Sequence, residues 1–201
     1  LAILLLAGGE ASLASGIDEF GRLPLAFEPN RGQTDANVAF LARGAGFQLF
    51  VTPTQAVYKL QRGPTASVVR MELVGARGDA IARGVDRLPG ESHYLTGGGR
   101  DRWITHVPQY GRIELPQVYR GIDLAYYGND SRLEYDFTVS PGADPRAIAI
   151  DVQGVRGIEV DGDGRLVMRT PSALLAWKKP VAYQEVAGVK REVRIEQVRA
   201  R

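Results

Sequence analysis

Arg132-Leu133-Glu134-Tyr135-Asp136-Phe137-Thr138-Val139 alternates polar and apolar residues without a slip. Strand side chains alternate between two faces, so this stretch predicts a half-buried β-strand. Leu133, Tyr135, Phe137 and Val139 belong to the core face, and Glu134 and Asp136 to the solvated face beside Arg132. The same period of two recurs at Val69, Met71 and Leu73 and at Ile122, Leu124 and Tyr126. Gly128-Asn129-Asp130 joins the last of these to the 132–139 run. Asp161-Gly162-Asp163-Gly164 separates IEV from RLVMR, and both junctions have the composition of tight hairpin turns.

The same reading extends to both sides. Residues 34–42 (TDANVAFLA) admit a helix start at Thr34 or Asp35, or a strand from Val38. Gly44 and Gly46 lead straight into FQLFV at 47–51, which favours a strand and a hairpin. Pro141-Gly142 closes the 132–139 strand, and Asp144-Pro145 opens a new segment with one helical turn. At the end, VKREVRIEQVRAR leans toward strand through Val193 and Ile195. Gly and Pro leave only 33–43, 129–140 and 189–201 uninterrupted for more than 10 residues, within the 10–14 or so of a typical helix. The expectation is an all-β fold with little helix, an antiparallel β-sandwich of many short strands.

Of 201 residues, 44% are hydrophobic and 24% charged, with 24 Gly, 11 Pro and no Cys. A chain this long buries roughly 70% of its unfolded surface without needing disulfides or metals. A net charge of +2 lacks the clustered cations of a nucleic-acid binder. The absence of cysteine removes disulfides, thiolate metal sites and cysteine nucleophiles together. Leu1–Ala7 reads LAILLLA, and Ser12 and Ala14 are small residues two apart. Residues 1–15 are therefore expected to be a signal-peptide remnant, too short to span a bilayer, with a single domain over 16–201.

Several residue groups could carry chemistry. Glu134 and Asp136 lie roughly 7 Å apart along one strand face, near the separation that glycoside cleavage requires. An exposed pair beside Arg132 stays ionised and acts poorly as an acid. The Asp161 turn fails the calcium-loop pattern, because Arg165 and Thr170 stand where oxygen ligands belong. His93 and His106 are the only histidines, and their 13-residue separation matches no tight zinc spacing. Ser92 and His93 point to opposite strand faces, which argues against a nucleophile–base pair. No Gly-x-Ser-x-Gly elbow or phosphate-binding fingerprint is present, so no catalytic, cofactor or metal residue is assigned. Sugar sites pair aromatic faces with amides, which leaves Asn30, Gln33, Tyr127, Asn129, Glu134 and Asp136 as surface or ligand candidates.

Three strings occur in order: LPLAFEPNRGQTDANVAFLARGAGFQLFVTP at 23–53, GIDLAYYGNDSRLEYDFTVSPGADP at 121–145, and KPVAYQEVAGVKREV at 179–193. Together they resemble the N-terminal domain of bacterial exported proteins with SBBP-type (seven-bladed β-propeller) repeats. Phe27-Glu28-Pro29-Asn30-x-Gly32-Gln33 and Tyr126-Tyr127-Gly128-Asn129 are the specific parts. The resemblance implies an all-β fold, export to the cell surface or beyond, and a C-terminal part cut short at Arg201. It transfers no catalytic residue. The expected function is a non-catalytic extracellular structural or adhesion-type domain preceding the propeller repeats. The alternative is a glycan-binding module, with a glycoside hydrolase behind it. A polysaccharide or a cell-surface protein is the partner to expect, with no nucleic acid and no membrane span.

Overall fold

A computed structural model describes residues 2–10, 25–44, 46–96, 98–129, 132–186 and 189–193. The first strands are Ala2–Glu10 (β1), Phe27–Pro29 (β2), Phe40–Gly44 (β3), Phe47–Val51 (β4), Gln55–Arg62 (β5) and Thr65–Leu73 (β6). Arg83–Tyr94 (β7), Ile104–Tyr119 (β8), Ile122–Asn129 (β9) and Arg132–Val139 (β10) follow. Ile150–Gln153 (β11), Gly157–Val160 (β12), Leu166–Arg169 (β13), Leu174–Trp177 (β14), Val181–Val186 (β15) and Val189–Val193 (β16) end the series. The described helix amounts to two 3₁₀ turns, Arg100–Arg102 and Pro145–Ala147. In the second, the Asp144 side chain accepts from the Arg146 N–H and caps the turn.

The all-β expectation holds. Every described pairing is antiparallel, and the sheet runs β11-β6-β5-β4-β3-β2-β8-β9-β10-β1-β14-β13-β12. β7 adds to β8, and β15 pairs with both β1 and β16. Most neighbours are consecutive in sequence, because short turns join antiparallel strands without crossovers. The sheet curls so that strands from its two halves face one core, which takes in Leu49, Leu60 and Met71 with Ile113, Phe137 and Trp177. Across that core the Ser172 hydroxyl, in the β13–β14 turn, donates to the Ser67 oxygen on β6 at 2.7 Å.

The decisive strand behaves as its period requires. β10 pairs with β9 so that Leu133, Tyr135, Phe137 and Val139 oppose Gly128, Tyr126, Leu124 and Ile122. All four of these β10 side chains are buried. The β3–β4 hairpin resolves the helix-or-strand alternative at 34–42 in favour of strand, from Phe40. Gly128 is required by a close approach. A Cβ there would stand 2.6 Å from the Leu25 Cβ and 3.1 Å from the Leu25 backbone N and O. The chain entering β2 thus lies directly on the end of β9.

Residues 2–10 occupy a defined place in the sheet. β1 runs beside β10 from Ile3 opposite Val139 to Gly9 opposite Leu133. Its other edge meets β15 over Ala2–Leu6 and β14 at Gly9 and Glu10. Residues 11–15 of the expected leader, and 194–201 at the end, lie outside the described residues. Among the described residues no helix is long and apolar enough to cross a membrane.

Candidate functional site

The polar face of β8–β10 carries three of the six sequence candidates, Tyr127, Glu134 and Asp136. Register places Arg112 (β8), Tyr127 (β9) and Glu134 (β10) in one row, with Glu114, Ala125 and Asp136 in the next. The Tyr127 hydroxyl donates to Asp136 Oδ1 at 3.0 Å. The Arg112 guanidinium lies 5.4 Å from the centre of the Tyr127 ring. Arg83 and Arg112 both reach Glu114, at 2.8 and 3.3 Å. Hydrogen bonding from Arg83 holds the Glu114 carboxyl below its usual range.

Asp136 corrects the sequence reading. Alternation places it on the solvated face beside Glu134, yet it is only 6% exposed, whereas Glu134 is half-buried. The small Ala125 opposite it leaves room for Tyr127 to lean over the carboxyl. Burial pushes the Asp136 carboxyl up to about 6, against the lowering effects of the Tyr127 hydroxyl and the Arg112 charge. Burial, joined by the neighbouring carboxylates, likewise raises the Tyr127 phenol. A carboxyl near 6 is the property of a general acid, but the burial that raises it also seals it from a sugar. The cleft alongside is lined by Arg83, Arg112, Glu114, Pro116, Asp123, Leu124, Ala125 and Thr138, and its volume is about 70 Å³. That is room for a few waters, far below the roughly 300 Å³ at which ligand pockets begin.

Asn30 and Gln33 are spent on their own loop. The Asn30 amide donates to the Asp35 and Val38 carbonyls at 2.7 and 3.0 Å, and its Oδ1 accepts from the Gly32 and Thr34 N–H groups. Gln33 donates to the Pro29 carbonyl at 3.0 Å and accepts from the Arg31 N–H. Gly32 turns through a φ of +109° inside this knot, a conformation that glycine alone adopts without strain. The Asn129 and Arg132 side chains lie outside the described residues.

A cluster that sequence spacing does not mark lies on the β7–β8 hairpin. Glu91 and His93 share one face of β7, two residues apart, and His106 comes from β8 across the hairpin. The ligand atoms of the three residues lie within 4.8 Å of one another, and all three residues are exposed. His106 Nδ1 is 2.8 Å from Glu91 Oε2, and the two imidazoles meet edge to face at 4.9 Å between centroids. The hydrogen bond from His106 is the main cause of a lowered Glu91 carboxyl. The pairing register shifts between Arg87 and Glu91 and again between Ser92 and Tyr94. His106 itself has a φ of +57°, an unusual conformation for a side-chain-bearing residue. The Glu91-x-His93 alternation was a legible signal, but the bulged β8 partner was not.

The opposite face of β7 is anchored inward. Buried Glu28 accepts from the Ser92 hydroxyl at 2.8 Å and from the Tyr94 hydroxyl. Gln109 donates to Ser92 Oγ at 2.9 Å, and Arg43 approaches Glu28 at 3.5 Å. Glu28 stands within the Phe27–Gln33 string, so that string holds both the first loop and the β7 edge.

A family model described as a domain of unknown function (DUF7948) matches residues 27–198. The chain belongs to this family. No curated protein and no solved structure matches it. The match to the DUF7948 domain begins at β2 and takes in β2–β16, so every candidate residue named above falls within it. β1 lies before it.

Proposed function

We propose that this DUF7948 domain is a non-catalytic structural or adhesion-type module of an exported bacterial protein, placed ahead of SBBP-type β-propeller repeats. One observation carries the reading. The polar side chains that a ligand site would offer are consumed within the fold: Asn30 and Gln33 by their loop, Tyr127 and Asp136 by each other, Glu114 by two arginines. Groups already satisfied by internal partners gain little from binding sugar hydroxyls. The resemblance to propeller-bearing exported proteins supports the setting, with residues 1–15 as a leader removed on export.

The glycan-binding alternative has a specific observation of its own. Trp103 is 37% exposed and stacks under Arg100 at 5.5 Å, a flat surface of the sort that meets sugar faces. A polysaccharide array probed with the protein and with its Trp103→Ala and Asn30→Ala variants separates the two readings. The structural reading expects no saturable binding, and it expects Asn30→Ala to cost about 1–3 kcal/mol of stability through its unmade loop hydrogen bonds. Saturable binding that Trp103→Ala abolishes would overturn it. Recovery of the parent protein in the cytoplasm of its host would overturn the export setting.

A further inference from the structure

We propose that Glu91, His93 and His106 form a binding site for one divalent transition-metal cation of the zinc class. The donor set is two imidazoles and one carboxylate, the ligand types that suit Zn²⁺ and its neighbours and not the all-oxygen shells of Ca²⁺ or Mg²⁺. The ligand atoms, all within 4.8 Å of one another, need only side-chain rotations to surround an ion at about 2.0–2.2 Å. His93 Nδ1 already accepts, from the His106 N–H at 3.3 Å. It therefore carries a lone pair held by a long hydrogen bond that a metal displaces at small cost.

The site is also built on a fixed frame. Ser92 and Tyr94 alternate with Glu91 and His93 along β7, and both hydroxyls donate to buried Glu28. That anchorage sets the strand face on which Glu91 and His93 stand. On β8, Arg31 donates to the His106 carbonyl at 3.2 Å, and the left-handed backbone of His106 turns its ring toward β7. Bulges re-aim side chains in this way near functional positions. Three protein ligands leave at least one coordination position open, and because all three residues are exposed it faces solvent. The ion would clamp the β7–β8 hairpin across its irregular end. β7 pairs with no described strand besides β8, so the clamp closes at an edge of the sheet.

The test uses untagged protein, since a histidine tag would supply competing imidazoles. Titration with Zn²⁺ at pH 7.5 against a chromophoric chelator should give one site per chain. His93→Gln and His106→Gln should each weaken it about tenfold or more, while leaving the far-ultraviolet circular dichroism unchanged. Co²⁺ in place of Zn²⁺ should give visible absorption bands of a low-coordinate nitrogen–oxygen site, lost in both variants. Zn²⁺ should also raise the melting temperature of the parent protein but not of His106→Gln. Failure to compete with the chelator, or affinity unchanged in both histidine variants, would overturn the proposal.

Discussion

Asp136 shows how one burial event rewrites a residue's chemistry. Period-two alternation places it on the polar face, and that face is where it stands. What alternation cannot state is that Tyr127 reaches across the small Ala125 and covers it. Burial pushes the folded carboxyl up to about 6, above the ordinary carboxylate range, so the folded state holds this proton more tightly than the unfolded chain. Below about pH 4 the group is neutral in both states and costs nothing. As pH rises from there through 6, ionising it under Tyr127 destabilises the fold. Asp136→Asn removes that titration. Its stability relative to the parent should grow by on the order of 2–3 kcal/mol between pH 4 and 7. Urea unfolding of both proteins across this range measures it, and a flat difference would show an unburied carboxyl. The same residue weighs against hydrolysis, because the group with the right acidity has no access to substrate.

Among the elements, the hairpins were the most legible. The β3–β4, β9–β10 and β12–β13 pairs all sit where glycine-rich turns separate alternating runs. Close glycine packing was not legible, because it depends on which distant segment arrives. Gly128 is read in sequence as a turn residue, yet its constraint comes from Leu25 lying on β9. Gly128→Ala should destabilise the domain by about 1–3 kcal/mol through forced displacement of that segment. A chemical denaturation midpoint equal to that of the parent would show that the segment gives way freely. The histidine cluster escaped for a related reason. Metal-ligand spacing rules describe ligands on one loop or helix, whereas here 13 residues are spanned by a bulged hairpin.

At the scale of the molecule, β10 lies between β9 and β1. Its β9 side is sealed by eight paired residues from Arg132 to Val139, and Tyr135 packs edge to face on Trp177 at 5.9 Å. The β9 pairing does not involve β1, whereas β14, which carries Trp177, and β15 both pair with it. Through the β9 pairing, a chain beginning at residue 16 should keep a cooperative melt, as expected if 1–15 is a leader. Its open β10 edge should make it associate with itself as concentration rises, because unpaired strand edges recruit other strands. Analytical ultracentrifugation alongside calorimetry measures both, and loss of the cooperative transition would make β1 an integral strand of the domain. The sequence by itself determined the fold class, the principal hairpins and the inward face of β10. These follow from local periods and turn chemistry, which act between residues near in the chain. Tertiary structure alone decided that Asp136 is covered, that Asn30 and Gln33 serve their own loop, and that Glu91 and His93 meet His106. Each of these depends on where a curled sheet and an irregular register bring separate segments together, and no local pattern encodes that meeting.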